Sequence, residues 1–303
     1  MANSLDADQV LGCADAHTDS TPLEPAMFKD IVLPIFHGEI CEAAVHAACA
    51  IASSHQGHLS ALVGVSMITP NAAAWAYYPE GMYASLKESA DTAIDAIANK
   101  LKARLARESV SHEIRRCSSV WLTSAEMAVV GARYADLIVM GRSNAPSDGE
   151  RRLFTSLLVG SGRPLLLVPE MAPEADRFEH VVVAWKSSRE AARALHDALP
   201  LLRKARSVDV LVVDDASARG PETDAQEAQL SQHLTRHGIV ARQVRRERGD
   251  TPVDLAIIDH TAESRAHLIV AGGYSHARAL EQVFGGVTRT LFEHAARPVL
   301  FSH

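Results

Sequence analysis

A glycine-rich stretch near the end of the chain carries residues that suit a phosphate group. Gly272 closes an apolar run, Ser275 follows it, and the pair Gly285 and Gly286 precedes Thr288. Glycines let a backbone come close to a phosphate, and a hydroxyl near the start of a helix can donate to its oxygens. Ligands of open parallel sheets bind beyond the carboxyl ends of the strands, where helices begin. The stretch therefore predicts an anion site made of backbone amides and hydroxyls.

Residue patterns that would indicate catalysis do not occur in the sequence. The motif Gly-x4-Gly-Lys-[Ser/Thr] is missing, so phosphoryl transfer is not predicted. The string Val159-Gly160-Ser161-Gly162 lacks the Gly-x-Ser-x-Gly elbow of hydrolases, and we interpret Ser161 as a turn residue. We expect no catalytic residue and no enzymatic activity.

Histidines and cysteines also lack the spacing of metal ligands. The four cysteines contain no CxxC pair, and we expect them to be reduced and mostly buried. The 15 histidines contain no His-Glu-x2-His motif, so the sequence predicts no metal site. We interpret the most suggestive histidines as surface or capping residues; these are His46, His55, His58, His276 and His294.

The sequence patterns of the elements that position these residues occur twice along the chain. Three segments of the first half recur in the same order in the second; they are 28–36 with 178–186, 135–141 with 266–272, and 163–168 with 297–301. Three matches in one order indicate an internal duplication. The offset between matched segments falls from 150 to 131, so the first half carries an insertion, which we predict as a loop at 68–81.

Short runs rich in Val, Ile and Leu alternate with helical patterns in both halves. This alternation is typical of a parallel sheet that helices cover on both faces. The second half has patterns for five strands and four helices. The first half has five strand patterns but only three helical ones, at 39–54, 82–107 and 123–134.

The predicted fold class is α/β, with two tandem doubly wound domains, each a five-stranded, mainly parallel sheet flanked by helices. The predicted divisions are a disordered tail at 1–27, a first domain at 28–169, a linker at 170–178 and a second domain at 179–303. Because this interpretation depends on two copies of one sheet unit, a single continuous sheet would count against it.

The run Gly272-x2-Ser275-x9-Gly285-Gly286 resembles a motif of the universal stress protein family. Nucleotide-binding members of that family carry Gly-x2-Gly-x9-Gly-[Ser/Thr] between the fourth strand and the last helix. The spacing is kept, a serine replaces the second glycine, and Thr288 can replace the terminal hydroxyl. The segment 184–192 resembles the family's first strand and helix, where an acidic residue holds the adenine or ribose side. That position is Lys186 here, which cannot accept hydrogen bonds from ribose hydroxyls.

This resemblance implies a Rossmann-like domain of the adenine-nucleotide alpha-hydrolase type that binds ATP weakly in the second half. The residues expected to hold the phosphates are Gly272, Ser275, Gly285, Gly286, Val287 and Thr288. Those expected to line the base pocket are Ala184, Trp185 and Val213. The first half has Phe36 at the position of Lys186 and Phe154 at the third glycine position, so we expect no nucleotide site there.

The resemblance also implies how the two halves associate. Universal stress proteins pair through an edge strand, and the last strand of each half follows an Arg-Pro pair, at Arg163-Pro164 and Arg297-Pro298. We therefore expect the halves to pair inside one chain, like the family dimer. A homodimer of whole chains is a further possibility that the sequence leaves open.

Composition limits the other partners of the protein. A net charge of −7 argues against nucleic acid and anionic membranes, which recruit clustered lysine and arginine. The chain of 303 residues has no apolar stretch long enough to span a membrane and no basic, apolar start typical of a secretory signal. We expect a soluble, cytoplasmic protein.

The resulting hypothesis is a universal stress protein of the general stress response. Its nucleotide-bound state would alter how it docks to an unknown protein partner. Two alternatives stay open: a ligand-free interaction or scaffold module, and a binder of a different small anionic molecule that suits Lys186. A domain of the electron-transfer-flavoprotein type would need a flavin partner or pocket, and no feature of the sequence demands one.

Overall fold

A computed structural model describes residues 27–36, 38–65, 81–119, 122–173, 177–214, 220–247, 249, 251–274 and 286–303. In the first half the strands are β1 (Asp30–Ile35), β2 (His58–Gly64), β3 (Ser111–Cys117), β4 (Leu137–Arg142) and β5 (Leu165–Pro169). In the second half they are β6 (His180–Ala184), β7 (Ser207–Asp214), β8 (Ala241–Glu247), β9 (Leu268–Gly272) and β10 (Val299–Ser302). The sequence predicts these strands at 30–35, 60–66, 113–117, 137–140 and 165–168, and at 181–185, 208–213, 241–246, 268–271 and 299–301. Each observed strand therefore lies within about two residues of its predicted bounds.

Helices connect these strands in both halves. Those of the first half are α1 (Glu42–His55), α2 (Met82–Leu105), α3 (Ser124–Ala132) and α4 (Asp148–Gly160). Those of the second half are α5 (Arg189–Leu202), α6 (Pro221–Arg236), α7 (Val253–Glu263) and α8 (Gly286–His294). None of the helices in the described part of the chain is long and apolar enough to cross a membrane.

All ten strands belong to one sheet, in the order β3-β2-β1-β4-β5-β10-β9-β6-β7-β8. Neighbours within each half are parallel, whereas β5 and β10 pair antiparallel, with Leu166 opposite Leu300. The expectation that a continuous sheet would contradict the duplication is therefore wrong. Read outward from its centre, the sheet has the same strand order on both sides, so it consists of two five-stranded copies joined through their last strands.

The helices divide between the two faces of the sheet in the same way in each half. One apolar core lies under α1, α2, α5 and α6, and the other under α3, α4, α7 and α8. Strands such as β5 and β10 are buried along their whole length, because both of their faces are covered. Each core runs across the junction between the halves. The predicted fold class is confirmed, while the exact domain boundaries stay predictions.

Helix α4 is missing from the prediction, which gave the first half only three helices. Its start is marked in the sequence: the Ser147 hydroxyl accepts from the Glu150 amide, and the Glu150 carboxylate accepts from the Ser147 amide. The prediction missed this capping box because it aligned the segment with the family's phosphate loop and placed Phe154 at the third glycine position. Phe154 instead lies inside a helix, fully buried, and not at a glycine position of a loop.

The insertion in the first half is only partly the predicted loop. The connection from β2 to α2 has 17 residues and the one from β7 to α6 has six. Helix α2 itself has 24 residues, against 16 in α6, so the rest of the extra length extends this helix. Residues 66–80, within which most of the predicted loop falls, lie outside the described residues, as does the predicted tail up to residue 26.

Candidate functional site

A cavity of about 520 Å³ opens at the carboxyl ends of β6, β7 and β9. Seven of the nine residues predicted for the site line this cavity; they are Ala184, Trp185, Val213, Gly272, Gly286, Val287 and Thr288. The other two, Ser275 and Gly285, lie outside the described residues. The topology brings these positions together because the first and fourth strands of the half, β6 and β9, are neighbours in the sheet.

The start of α8 forms the side of the cavity at which the sequence predicts the phosphates. A Cβ atom added at Gly286 would meet no atom within 4 Å, so the backbone there faces open space. Thr288 is buried, and its Oγ1 accepts a hydrogen bond of 3.3 Å from the Tyr274 amide. Its hydroxyl proton stays available as a donor, because a hydroxyl both accepts and donates. Free amides at a helix start and a hydroxyl donor suit an anion.

Gly272 is explained by packing without any ligand. A Cβ atom there would lie 2.7 Å from the Ala191 nitrogen at the start of α5. Gly141, its counterpart in the first half, would collide in the same way with Cys41 next to α1. Since both halves need a glycine where the fourth strand touches the first helix, this glycine is not itself a sign of nucleotide binding.

The base side of the cavity has walls that the sequence did not indicate. Besides the predicted residues, side chains of α6 and α7 line it, among them Gln226 and Ile257. The backbone of Trp185 is fixed by a hydrogen bond of 2.8 Å from its amide to the Leu211 carbonyl. The signal for α6 and α7 was topological: they follow the parallel strands β7 and β8, so their starts face the same edge of the sheet.

Charges of both signs surround the cavity. Lys186 is exposed at its rim, and the carboxyl groups of Asp214 and Glu227 also line it. Glu227 forms an ion pair of 2.6 Å with Arg245. Lys186 and the start of α8 favour an anion, whereas Asp214 opposes one. The field at this site is therefore only mildly attractive to phosphate.

The corresponding cavity of the first half is smaller, about 280 Å³. The buried Phe36 ring packs against Gly64, where an added Cβ would lie 2.5 Å from the ring. Glu150 accepts hydrogen bonds from the Ser143 and Ser147 amides, at 3.0 and 2.8 Å. An internal carboxylate thus takes donors that a phosphate would need, and an aromatic ring fills the base side.

Residues of the first half support the site in the second. The Tyr274 hydroxyl bonds the Thr155 hydroxyl on α4 at 2.9 Å, and Tyr274 has a φ of +53°. A Cβ atom at Gly273 would lie 2.7 Å from a methyl group of Leu158, also on α4. The chain leaving β9 is therefore held against the other half. Sequence reasoning missed this contact because it joins residues about 120 positions apart.

The remaining candidates have structural roles. Ser161 ends α4, and its hydroxyl donates to the Leu157 carbonyl at 2.6 Å. Burial raises the pKa of the Cys49 thiol to about 11, so it stays protonated at neutral pH. His55 was expected at the surface, but it is 1% exposed and packs against Phe28. Among the described residues no group of histidine, cysteine and carboxylate side chains could hold a metal ion.

Comparisons with known proteins identify the relatives of this chain. The family model of the universal stress protein family matches residues 177–303. A universal stress protein from Archaeoglobus fulgidus has a TM-score of 0.65 at 16% identity, covering 91% of this chain and 97% of its own. A functionally unknown protein from Pseudomonas aeruginosa has a TM-score of 0.55 at 14% identity, covering 91% of this chain and 92% of its own. No curated protein matches the sequence.

The likeness to solved structures shows the fold of both halves, since it covers nearly the whole chain at low identity. The family model adds sequence evidence for the second half. Together with the duplicated sheet, these findings confirm the resemblance drawn from the motifs. Residues 177–303 match the model of the universal stress protein family, and the first half of the chain repeats the fold of that second half.

Proposed function

We propose that the second half binds an adenine nucleotide, ATP or a close relative, with low affinity. The observation that carries this proposal is the open cavity of about 520 Å³ between the strand ends and the start of α8. Its volume lies within the range of small-molecule sites, roughly 300 to 1,000 Å³. The amides near Gly286 and the Thr288 hydroxyl would hold phosphates, while Ala184, Trp185 and Val213 would contact the base.

The contrast between the halves supports this assignment to the second half. Phe36 and Glu150 fill the corresponding positions of the first half with the protein's own groups. The second half keeps this space, although it gains no local stability from doing so. An open cavity that combines apolar walls with polar groups able to fix a ligand's orientation is what a small-molecule site requires.

Low affinity follows from the charged groups at the rim. Lys186 stands where the family resemblance implies a carboxylate, so no acceptor meets the ribose hydroxyls from that position. Asp214 also lines the cavity, and its charge has the same sign as that of a phosphate. Lys186 can attract an anion, but an exposed lysine contributes little because water screens it.

We further propose that the protein is a non-enzymatic member of the general stress response in the cytoplasm. Nucleotide binding would change how the molecule docks to a protein partner.

The absence of enzymatic activity is proposed although serine hydroxyls line the cavity. Among the described lining residues, Ser187 and Ser188 lie next to Lys186 in sequence, but the Ser188 hydroxyl caps α5. This capping role argues against Ser188 as a nucleophile.

Equilibrium binding of fluorescently labelled ATP to the full chain tests the nucleotide site. We expect Gly286→Glu to abolish saturable binding, because the new carboxylate would enter open space and repel the phosphates. The equivalent change at Gly285, Gly285→Glu, should act similarly. A matched control is Val240→Glu, which adds the same charge at a side chain that is 89% exposed and lies before β8, at the other edge of the sheet.

The outcome separates the proposed function from its alternatives. Binding by wild type and Val240→Glu, with loss in Gly286→Glu, supports the proposal. Negligible binding by all three proteins means that the domain is a ligand-free interaction module. Equal binding by all three places the nucleotide outside this cavity.

A further inference from the structure

A second cavity, separate from the nucleotide site, lies between the two halves. It is a groove of about 380 Å³ lined by α1, α5 and the segment before β6. Its walls are mostly apolar; the residues are Ala47, Ala50, Ile51, Ser54, His55, Arg177, Phe178, Leu201 and Lys204. It adjoins the C-terminal ends of α1 and α5, whereas the nucleotide cavity adjoins the start of α5. None of its residues lines the nucleotide cavity.

Two cations stand together at one part of this groove. Lys204 and Arg177 are both exposed, and the charge of Arg177 acts on Lys204. Partial desolvation and this like charge lower the pKa of Lys204. Within the described ranges, neither side chain forms an ion pair with a carboxylate. Neighbouring like charges are unfavourable unless an anion compensates them.

One ring nitrogen of the buried His55, in the groove wall, also lacks a hydrogen-bond partner among the described residues. His55 is 1% exposed, and its Nδ1 accepts a hydrogen bond of 3.4 Å from the Phe28 amide. Because Nδ1 is an acceptor, the proton of the neutral ring must be on Nε2. Nε2 is buried and has no hydrogen-bond partner in the described part of the structure. A buried donor without an acceptor is unusual in native proteins.

We propose that the groove binds a small amphipathic carboxylate of the fatty-acid type. Its alkyl chain would lie against Ala47, Ala50, Ile51, Phe178 and Leu201, and its carboxylate would pair with Lys204 and Arg177. Its volume of about 380 Å³ lies within the range of small-molecule sites, roughly 300 to 1,000 Å³. The two cations favour an anion and the apolar walls favour an alkyl chain, a combination that a fatty-acid carboxylate offers and a neutral lipid lacks.

A structural role explains part of this arrangement but not all of it. The Lys204 ammonium donates to the Ser54 carbonyl at 2.5 Å, and the Lys29 ammonium donates to the His55 carbonyl at 3.3 Å. Cations commonly cap the carbonyls at the end of a helix in this way. Capping does not account for Arg177, the unpartnered Nε2 or the open groove. Variants at Arg177 and at the groove wall therefore test the ligand separately from the cap.

Isothermal titration of the full chain with decanoate, below its critical micelle concentration, tests the proposal. We expect saturable binding of one decanoate per chain, and binding of decan-1-ol at least about tenfold weaker, because it lacks the charge. Saturating ATP should leave decanoate binding unchanged. This independence keeps the result separate from the fate of the proposed nucleotide site.

Three variants locate the ligand, with thermal unfolding used to verify that each is folded. Ala50→Trp should abolish binding, because the indole fills the groove from a half-buried position. Arg177→Gln and Lys204→Gln should each weaken binding about tenfold. Lys100→Gln, at an exposed lysine on α2, serves as the matched control and should bind as wild type does.

Three results would overturn the proposal. One is the absence of saturable decanoate binding to wild type. Another is equal binding of decanoate and decan-1-ol, which would indicate unspecific apolar contact. The third is wild-type binding by the folded Ala50→Trp and Arg177→Gln proteins, which would place the ligand elsewhere.

Discussion

At the scale of single residues, one position separates the two halves. Phe36 and Lys186 follow the first strand of their respective halves at matched positions. The phenylalanine turns inward and packs against Gly64, whereas the lysine stays exposed at the rim of an open cavity. The physical difference is simple: an apolar ring gains by burial, while an ammonium group loses its hydration there. The first half thereby fills its own site.

His55 makes the stability of the protein depend on pH. Burial, assisted by the positive charges of Lys204 and Lys29, lowers the pKa of His55 from 6.5 to about 4. The unfolded chain therefore takes up a proton below about pH 6.5, while the folded chain does so only near pH 4. Stability contributed by the neutral ring is present above pH 6.5 and is lost as the pH falls toward 4, by about 2–3 kcal/mol.

Chemical denaturation of wild type and His55→Leu between pH 7 and 4.5 tests this prediction. We expect the free energy of unfolding to fall less steeply in His55→Leu, because the titrating group is gone. His294→Leu, at a side chain that is 65% exposed, should keep the wild-type slope. Parallel slopes in wild type and His55→Leu would show that other groups cause the acid dependence.

At the scale of elements, the last helix of each half begins differently. Five residues separate β4 from α4, whereas 13 separate β9 from α8. Helix α4 starts early because Ser147 and Glu150 cap it, and the same carboxylate bonds the Ser143 amide. Helix α8 starts at Gly286, which faces open space. The length of one connection therefore decides whether the helix start faces a side chain or a cavity.

Arg142, at the end of β4, caps the C-terminal end of α8 in the other half. Its buried guanidinium donates to the carbonyls of Phe292, Glu293 and Ala295. Removing it leaves these carbonyls unpaired, so we expect Arg142→Met to lower the free energy of unfolding by about 2–3 kcal/mol. Urea denaturation followed by circular dichroism measures this change.

Arg152 offers a matched control on α4, because its side chain is exposed. Arg152→Met should change the free energy of unfolding by less than about 0.5 kcal/mol. If Arg142→Met and Arg152→Met lower the free energy of unfolding by the same small amount, the cap does not contribute to the association of the halves.

At the scale of the whole molecule, the two copies form one structural body. They share the ten-stranded sheet, and apolar residues of both contribute to each core. The strand pair β5 and β10 replaces two exposed sheet edges with one buried junction. Contacts of α4 with Gly273 and Tyr274 then make the first half part of the support of the second half's cavity.

Phe154 tests whether the halves unfold together. Its fully buried ring contacts Phe292 at 4.7 Å and Phe301 at 5.3 Å between centroids, both across the junction. We expect Phe154→Ala to lower the free energy of unfolding by about 3–5 kcal/mol. Hydrogen exchange followed by mass spectrometry should show lost protection in β9, β10 and α8 as well as in β4 and β5.

Leu105 provides the comparison, since it is equally buried but lies on α2, away from the junction. Leu105→Ala should reduce protection mainly in the first half. If Phe154→Ala also reduces protection from hydrogen exchange only in the first half, the two copies unfold independently.

Much of the fold could be predicted because its signals are local in the sequence. The matched segments ending at Gly141 and Gly272 gave the duplication, and the buried runs of Val, Ile and Leu gave the parallel strands to within about two residues. Both follow from rules that act over a few positions. The capping box at Ser147 was equally local, and it was missed because the segment was aligned with the family's phosphate loop.

The sequence by itself determined the strands, every described helix except α4, the family resemblance of the second half and the neighbourhood of the candidate site. Only the tertiary structure decided that the halves share one sheet, that Phe36 closes the first cavity and that His55 is buried beside two lysines. These outcomes depend on how side chains from distant positions pack and compensate each other's charge. Such contacts leave no pattern at any fixed spacing along the chain, so they emerge only when the elements meet.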